Sequence, residues 1–139
     1  MADRVFEELG EEECLALIAP GGIGRIAYTG RFGPAVLPVN YALQDGGIVF
    51  RTAAHGALDE DLRTGIADAD YRVAFEIDSF DLDARQGWSV LVQGPARHVA
   101  EDETDEARAS GVQSWAPGER ELFVRITPTR ITGRRVAIA

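Results

Sequence analysis

Cysteine is nearly absent: Cys14 stands alone among 139 residues, so no disulfide forms within the chain and a reducing cytoplasm is expected. Histidine is almost as scarce. His55 and His98 are far apart, Cys14 falls in another element, and no ligand spacing links them, which argues against a metal site. No apolar run approaches the ~20 residues of a membrane span. The N-terminal stretch, Met-Ala-Asp-Arg-Val-Phe-Glu-Glu, lacks the apolar core of a signal peptide. Positive charge is short as well: 14 Lys and Arg stand against 23 Asp and Glu, a net charge of −9. Nucleic acid and anionic membrane surfaces both require a cationic face, so neither is expected as a partner. No Gly-x-Ser-x-Gly elbow occurs. Gly21-Gly22-Ile23-Gly24 precedes a strand without a Lys-Ser/Thr ending, so it is not read as a phosphate loop. No repeat, low-complexity tract or linker breaks the chain. Residues 1–139 read as one soluble domain, large enough for a real core.

What is present is organised around residues 34–58. Two runs rich in β-branched and aromatic residues flank Asp45-Gly46-Gly47, the sequence form of a hairpin. In the first run, Ala35, Leu37, Val39, Tyr41 and Leu43 share one face; Val36, Pro38, Asn40 and Ala42 share the other. Neither face is polar, so the strand is expected to be covered on both sides. Pro38 has no N–H for a ladder, which places the strand at an edge, a bulge or a point of ligand approach. The second run ends in Arg51-Thr52, a cation and a hydroxyl beside a small-residue turn, a setting that suits an anionic group.

A short helix is predicted over 9–19, with Leu9, Cys14, Leu15, Leu17 and Ile18 on its apolar side. Glu11 to Glu13 sit at the positive end of its dipole, and Pro20-Gly21-Gly22 stops it. Cys14 reads as a packed thiol with no activating cation. Strands follow at 23–29, 34–43 and 48–52, then one or two helical turns over 58–63. Next come strands at 71–78 and 87–100, with an acidic connection from Asp78 to Asp83 between them. Gly94-Pro95 marks a bulge or bend in the second of these. An acidic helix over 101–110, a loop holding Trp115, and strands at 121–127 and 131–138 complete the chain. Inward residues on 71–78 are Tyr71, Val73, Phe75 and Ile77. Glu76 and Asp78 face outward and read as solvated charges rather than a catalytic pair. Six or seven short strands without regular βα alternation argue for a mostly β, antiparallel barrel over about 22–138.

These residues also resemble a family. Pro38-Val39-Asn40-Tyr41, Val49-Phe50-Arg51-Thr52, Phe75-Glu76-Ile77-Asp78, residues 87–94 and Arg125-Ile126-Thr127-Pro128-Thr129-Arg130 are similar to the actinobacterial branch of the pyridoxamine 5′-phosphate oxidase-like, FMN-binding split-barrel proteins. The resemblance implies a Greek-key split β-barrel that pairs into a homodimer, with FMN at the subunit interface. It implies that Leu37, Pro38, Val39 and Asn40 lay their backbone along the flavin ring. Phe50, Arg51 and Thr52 would then meet the ribityl chain and phosphate. Trp88-Ser89 would border the ring, although Trp88 alternates with Val90 and Val92 and fits a plain core position equally well. Trp115 would sit in a loop reaching towards the partner's cofactor.

The chain departs from the family pattern at the phosphate turn. Gly56-Ala57-Leu58 stands where the family carries a small residue, a lysine and a leucine, which leaves His55 as the nearby donor. Three functions stay open. The first is a flavin-dependent oxidoreductase acting on a small molecule. The second is a protein that binds or sequesters a flavin or deazaflavin without robust turnover. The third is a cofactor-free dimer with an interaction role. No residue is evident as a general acid or base, and Arg130, Arg134 and Arg135 are the concentrated positive charges.

Overall fold

The computed structural model describes residues 4–53, 58–59, 71–115 and 122–138. Eight strands form one antiparallel sheet: β1 (Arg4–Leu9), β2 (Gly22–Gly30), β3 (Gly33–Gln44), β4 (Gly47–Thr52), β5 (Tyr71–Asp81), β6 (Gln86–His98), β7 (Leu122–Ile126) and β8 (Arg130–Ile138). Their order is β1-β8-β6-β5-β2-β3-β4-β7. A further β6–β7 pairing closes the six strands from β6 to β7 into a barrel, the split-barrel architecture expected from the sequence. The barrel positions are filled by Ile26, Ile48, Phe50, Phe75, Val90, Val92, Val124 and Ile126, all fully buried. Phe75 meets the Tyr41 ring edge-on at 5.5 Å and stacks on Phe50 at 6.3 Å. Such aromatic pairs add to what burial alone contributes.

Helix α1 (Glu11–Ile18) lies against β8, with Cys14 and Ile18 one turn apart and both fully buried. A Cβ at Gly133 would collide with the Cys14 sulfur, so the glycine is what lets the helix settle on the strand. Burial pushes the Cys14 thiol up from its ordinary value, as a packed thiol requires. The end of α1 is tied to the barrel by Tyr41, whose hydroxyl donates to the Ile18 carbonyl at 2.7 Å. Helix α2 (Thr104–Ala109) follows a 3-10 turn at Glu101–Glu103. With Ala107 and Val112 it covers Val49 and Phe123 on the outside of β4 and β7.

Four differences from the sequence reading have physical causes. Strand β1 was not anticipated. It pairs as an edge strand with β8, and its consecutive Glu7 and Glu8 beside exposed Val5 and Phe6 give no strand alternation in the sequence. Strand β5 continues to Asp81 rather than ending at Asp78, because its register with β6 runs unbroken from Tyr71↔Ala96 to Asp81↔Gln86. The turn begins only there, where Asp81 Oδ1 accepts the N–H groups of Asp83 and Ala84 at 3.0 Å. The same unbroken register shows that Gly94-Pro95 carries no bulge against β5. What changes there is the other neighbour: β6 pairs with β8 up to Gln93 and with β7 from Ala96. Finally, β3 is not covered on both faces within one chain, since Val36 is 60% exposed. Of the turns expected over 58–63, Leu58 and Asp59 are helical and the rest lies outside the described residues. Among the described residues, no helix is long and apolar enough to cross a membrane.

Candidate functional site

The barrel is split along β3. This strand has 12 residues, but β4 pairs only with its last four, Tyr41 to Gln44. From Gly33 to Tyr41 its ladder partner is β2. Among the described residues, the opposite edge of Pro34–Asn40 therefore has no strand on it. Alternate amides and carbonyls of that stretch can take a ligand's polar edge. Pro38 sits in the middle of it, opposite Arg25, where a missing donor breaks only one ladder. Leu37 and Val39 lie on the inward side of the strand, Pro38 and Asn40 on the outward side, and Leu37 and Pro38 are exposed. Asn40 is already engaged: its Oδ1 accepts the Trp115 N–H at 2.9 Å. Together with Gly21, Tyr41 and Val112 it lines a recess of about 280 Å³.

The end of β4 lies beside this opening. Phe50 and Thr52 point inward and are buried, while Arg51 points outward with Val49. The Arg51 guanidinium lies 5.2 Å from the Phe123 ring centre, and the guanidinium of Arg108, from α2, lies 6.0 Å from the same ring. Sequence reasoning found Arg51 and missed Arg108, since their separation along the chain hides their meeting at Phe123. Such an arrangement brings both guanidinium groups to one aromatic ring, whose face offsets part of their charge. Arg108 also reaches Asp105 at 3.4 Å, an exposed pair of little strength. His55, Gly56 and Ala57 lie outside the described residues.

Trp88 and Ser89 are adjacent on β6 and therefore face opposite ways. Trp88 shares the inward side with Val90 and Val92 and packs against the core. Ser89 lies outward, in a recess of about 480 Å³ with Phe6, Glu76, Leu91, Arg130 and Arg134. The two cannot wall one pocket of a single chain together. Trp115 is exposed, and its backbone N–H is the group that bonds Asn40.

Two further clusters carry chemistry that the sequence did not reveal. Glu76 and Asp78 are not simply solvated. Both lie 3.6 Å from Arg25 Nη1, and Glu76 Oε1 is closed off from solvent without a hydrogen-bond partner. Burial first, then the hydrogen bond and like charge of Asp78, push the Glu76 carboxyl up to about 7 against the pull of Arg25. Alternation correctly placed it outward; the cross-strand neighbours Arg25 and Leu91 flank it there and leave the side chain only partly exposed. The second cluster is His98 Nε2 with Asp59 Oδ1, 2.6 Å apart, the aspartate being fully buried. His98, Val124 and Phe50 stand opposite one another across β6, β7 and β4. The pair thus fastens the turn at Leu58-Asp59 to the barrel end that holds Arg51 and Thr52.

Three comparisons bear on this geometry. The model of the family described as pyridoxamine 5′-phosphate oxidase matches residues 10–135. The uncharacterized protein Rv0080 of Mycobacterium tuberculosis is 33% identical over 96% of this chain and 87% of its own length. Among solved structures, the FAD binding protein from Mycobacterium smegmatis is 33% identical, with a TM-score of 0.74 over 93% of this chain and 98% of that one. A FAD-binding protein from Mesorhizobium loti, at 22% identity and a TM-score of 0.75, covers 97% of this chain and 99% of its own and shares the fold.

Proposed function

The chain belongs to the pyridoxamine 5′-phosphate oxidase family, and on that premise we propose that it binds a phosphorylated flavin at the split in its barrel and serves as a flavin-dependent oxidoreductase. The observation that carries the reading is the one-sided stretch of β3 beside the cations at the end of β4. The donor set fits the group. Backbone amides and carbonyls of Leu37–Asn40 would hold the polar edge of the ring, and the apolar side chains of Leu37 and Val39 would keep water from it. Thr52 would take the ribityl side. Arg51, with Arg108 replacing the lysine that the turn lacks, would hold the phosphate by charge-assisted bonds. FMN and the FAD bound by the M. smegmatis relative share ring, ribityl chain and first phosphate, so one placement serves either.

When bound, the flavin supplies the redox chemistry, and the chain supplies binding, orientation and a dry wall. The Glu76 carboxyl, poised near neutrality two strands from Pro38, is the side chain best tuned to hold or release a proton there. A homodimer completes the reading. The outward apolar residues Phe6, Ile23 and Phe80 form the kind of surface that soluble monomers seldom expose.

An absorbance spectrum of the purified protein, before and after adding FMN and FAD, tests the cofactor. Flavin bands that stay with the protein through gel filtration support the reading; their loss would leave a cofactor-free interaction role. Turnover with NADPH and a panel of acceptors then separates an oxidoreductase from a flavin or deazaflavin carrier.

A further inference from the structure

Strand β3 ends in Gln44, on the outward side with Ala42, and the hairpin turn brings Gly47 opposite it. Arg125 of β7 stands on the same side, two residues after Phe123. Its Nη2 donates to the Gln44 carbonyl at 2.7 Å and its Nη1 to Gln44 Oε1 at 3.4 Å. A Cβ at Gly47 would lie 3.1 Å from Arg125 Nε, so the glycine leaves the guanidinium its room. The other end of the Gln44 amide reaches α2: its Nε2 donates to the Glu106 carbonyl at 2.9 Å. The Ser110 N–H, which would close a helical bond to that carbonyl, goes to Ala107 O at 3.1 Å instead. Gln44 thus caps the end of α2 from outside the helix. The helix needs such a hold. It has six residues, too few to be stable alone, and among the described residues its one buried side chain is Ala107. Arg108 follows the clamped carbonyl by two residues and meets the Phe123 ring beside Arg51. Competing partners are close: Glu101, Asp102, Glu103, Asp105 and Glu106 precede it, and Asp105 already lies 3.4 Å away.

We propose that Gln44 is a positioning residue for the phosphate end of the flavin site. Anchored by Arg125, its amide holds the end of α2 in place and keeps Arg108 on the Phe123 ring, with Arg51 rather than with the acidic side chains of its own helix. The proposal rests on the flavin reading for the purpose of the arrangement. The arrangement itself, from Arg125 through Gln44 and Glu106 to Arg108, stands on the bonds above. A chain without the turn lysine draws its second cation from a distant helix, and a cation so placed needs a part that fixes it. Gln44 touches no part of the flavin; it acts through Arg108.

Two readouts on Gln44→Leu and Gln44→Glu test it. Leucine removes both side-chain bonds; glutamate keeps an acceptor for Arg125 and loses the donor to Glu106. The first readout needs no flavin. Nuclear Overhauser contacts between the Arg108 side chain and the Phe123 ring should be present in the native protein and lost in both variants, while those of Arg51 with the same ring persist. The second is fluorescence titration with FMN and riboflavin. Both variants should bind FMN about 10-fold less tightly, the lower end of what one hydrogen bond to a charged group is worth, and bind riboflavin as the native protein does. A general loosening of the barrel would instead lower both affinities alike. In the double variant Gln44→Leu/Arg108→Gln, FMN should bind no more weakly than to Arg108→Gln alone, because two changes along one path do not add. The proposal is overturned if Arg108 keeps its contacts with Phe123 in both Gln44 variants, if FMN binding is unchanged or weakens together with riboflavin, or if the double variant loses the sum of both effects. Native protein that binds no flavin, with the Arg108 contacts still lost on substitution, sinks the flavin reading alone. Native flavin binding with those contacts unmoved sinks the positioning role alone.

Discussion

Glu76 is the residue whose surroundings most change its chemistry. Its carboxyl titrates near 7 in the folded protein, against 4.5 ordinarily, so the folded state holds a proton that the unfolded chain has released. Folding is therefore favoured on the acid side of that window, and this contribution is lost as pH rises from about 4.5 towards 7. Glu76→Gln removes the titration. The variant should gain on the native protein in melting temperature as pH rises through the window and hold that gain above it. The gain should stay within about 1 kcal/mol, since a partly exposed carboxyl is screened. A native–variant difference that does not change with pH would show that Glu76 titrates like an ordinary surface glutamate. Tyr41 is a second test at this scale. Burial pushes its phenol up to about 12, so it remains a donor at any working pH, and Tyr41→Phe removes the bond to Ile18. A loss of about 1 kcal/mol is expected by urea unfolding. Faster amide exchange should be concentrated in α1; a uniform change across the barrel would show that the bond does not hold the helix.

At the scale of elements, the legible parts of the chain were those whose signal is local. The β3–β4 hairpin could be read from Asp45-Gly46, because a two-residue loop needs positive φ at both positions, and the structure has 51° and 76° there. The alternation of Val73, Phe75 and Ile77 gave the inward face of β5, and Pro38 gave the open edge of β3. Arg51 was legible as a strand-end cation. Its companion Arg108, the Arg25–Glu76–Asp78 cluster and the Asp59–His98 contact were not, since each joins residues dozens of positions apart. Strand β1 was hidden because an edge strand with one wet face needs little apolar pattern. Gly94 shows a local signal that is right about place, with a change of neighbour rather than a bulge standing there. It stands where Thr127–Thr129 turns across β6, with Thr127 N–H bonded to Pro95 O at 3.0 Å and Thr129 N–H to Gln93 O at 2.8 Å. A Cβ at Gly94 would run into the Thr127 carbonyl. Gly94→Ala should cost about 1–3 kcal/mol in chemical denaturation, as overpacking does. A neutral result would mean that this corner yields easily and does not fix the β8-to-β7 exchange.

For the whole molecule, the exposed Phe6, Ile23, Val36 and Phe80 all stand on the outward side of the sheet, from β1 to β3. A homodimer that covers this side should bury more than ~1,200 Å² in total. Light scattering at micromolar concentration should give twice the chain mass of 15.1 kDa, and a monomer would remove the shared-pocket arrangement. The central claim is that the split in the barrel holds a flavin by its ring edge and by its phosphate. Fluorescence titration with FMN and riboflavin, on the native protein and on Arg51→Gln, tests it most directly. The account predicts that native protein binds FMN about 10- to 100-fold more tightly than riboflavin, that Arg51→Gln loses most of this advantage, and that riboflavin affinity stays the same in both. Equal affinity for FMN and riboflavin in the native protein, or FMN binding untouched by Arg51→Gln, would contradict it.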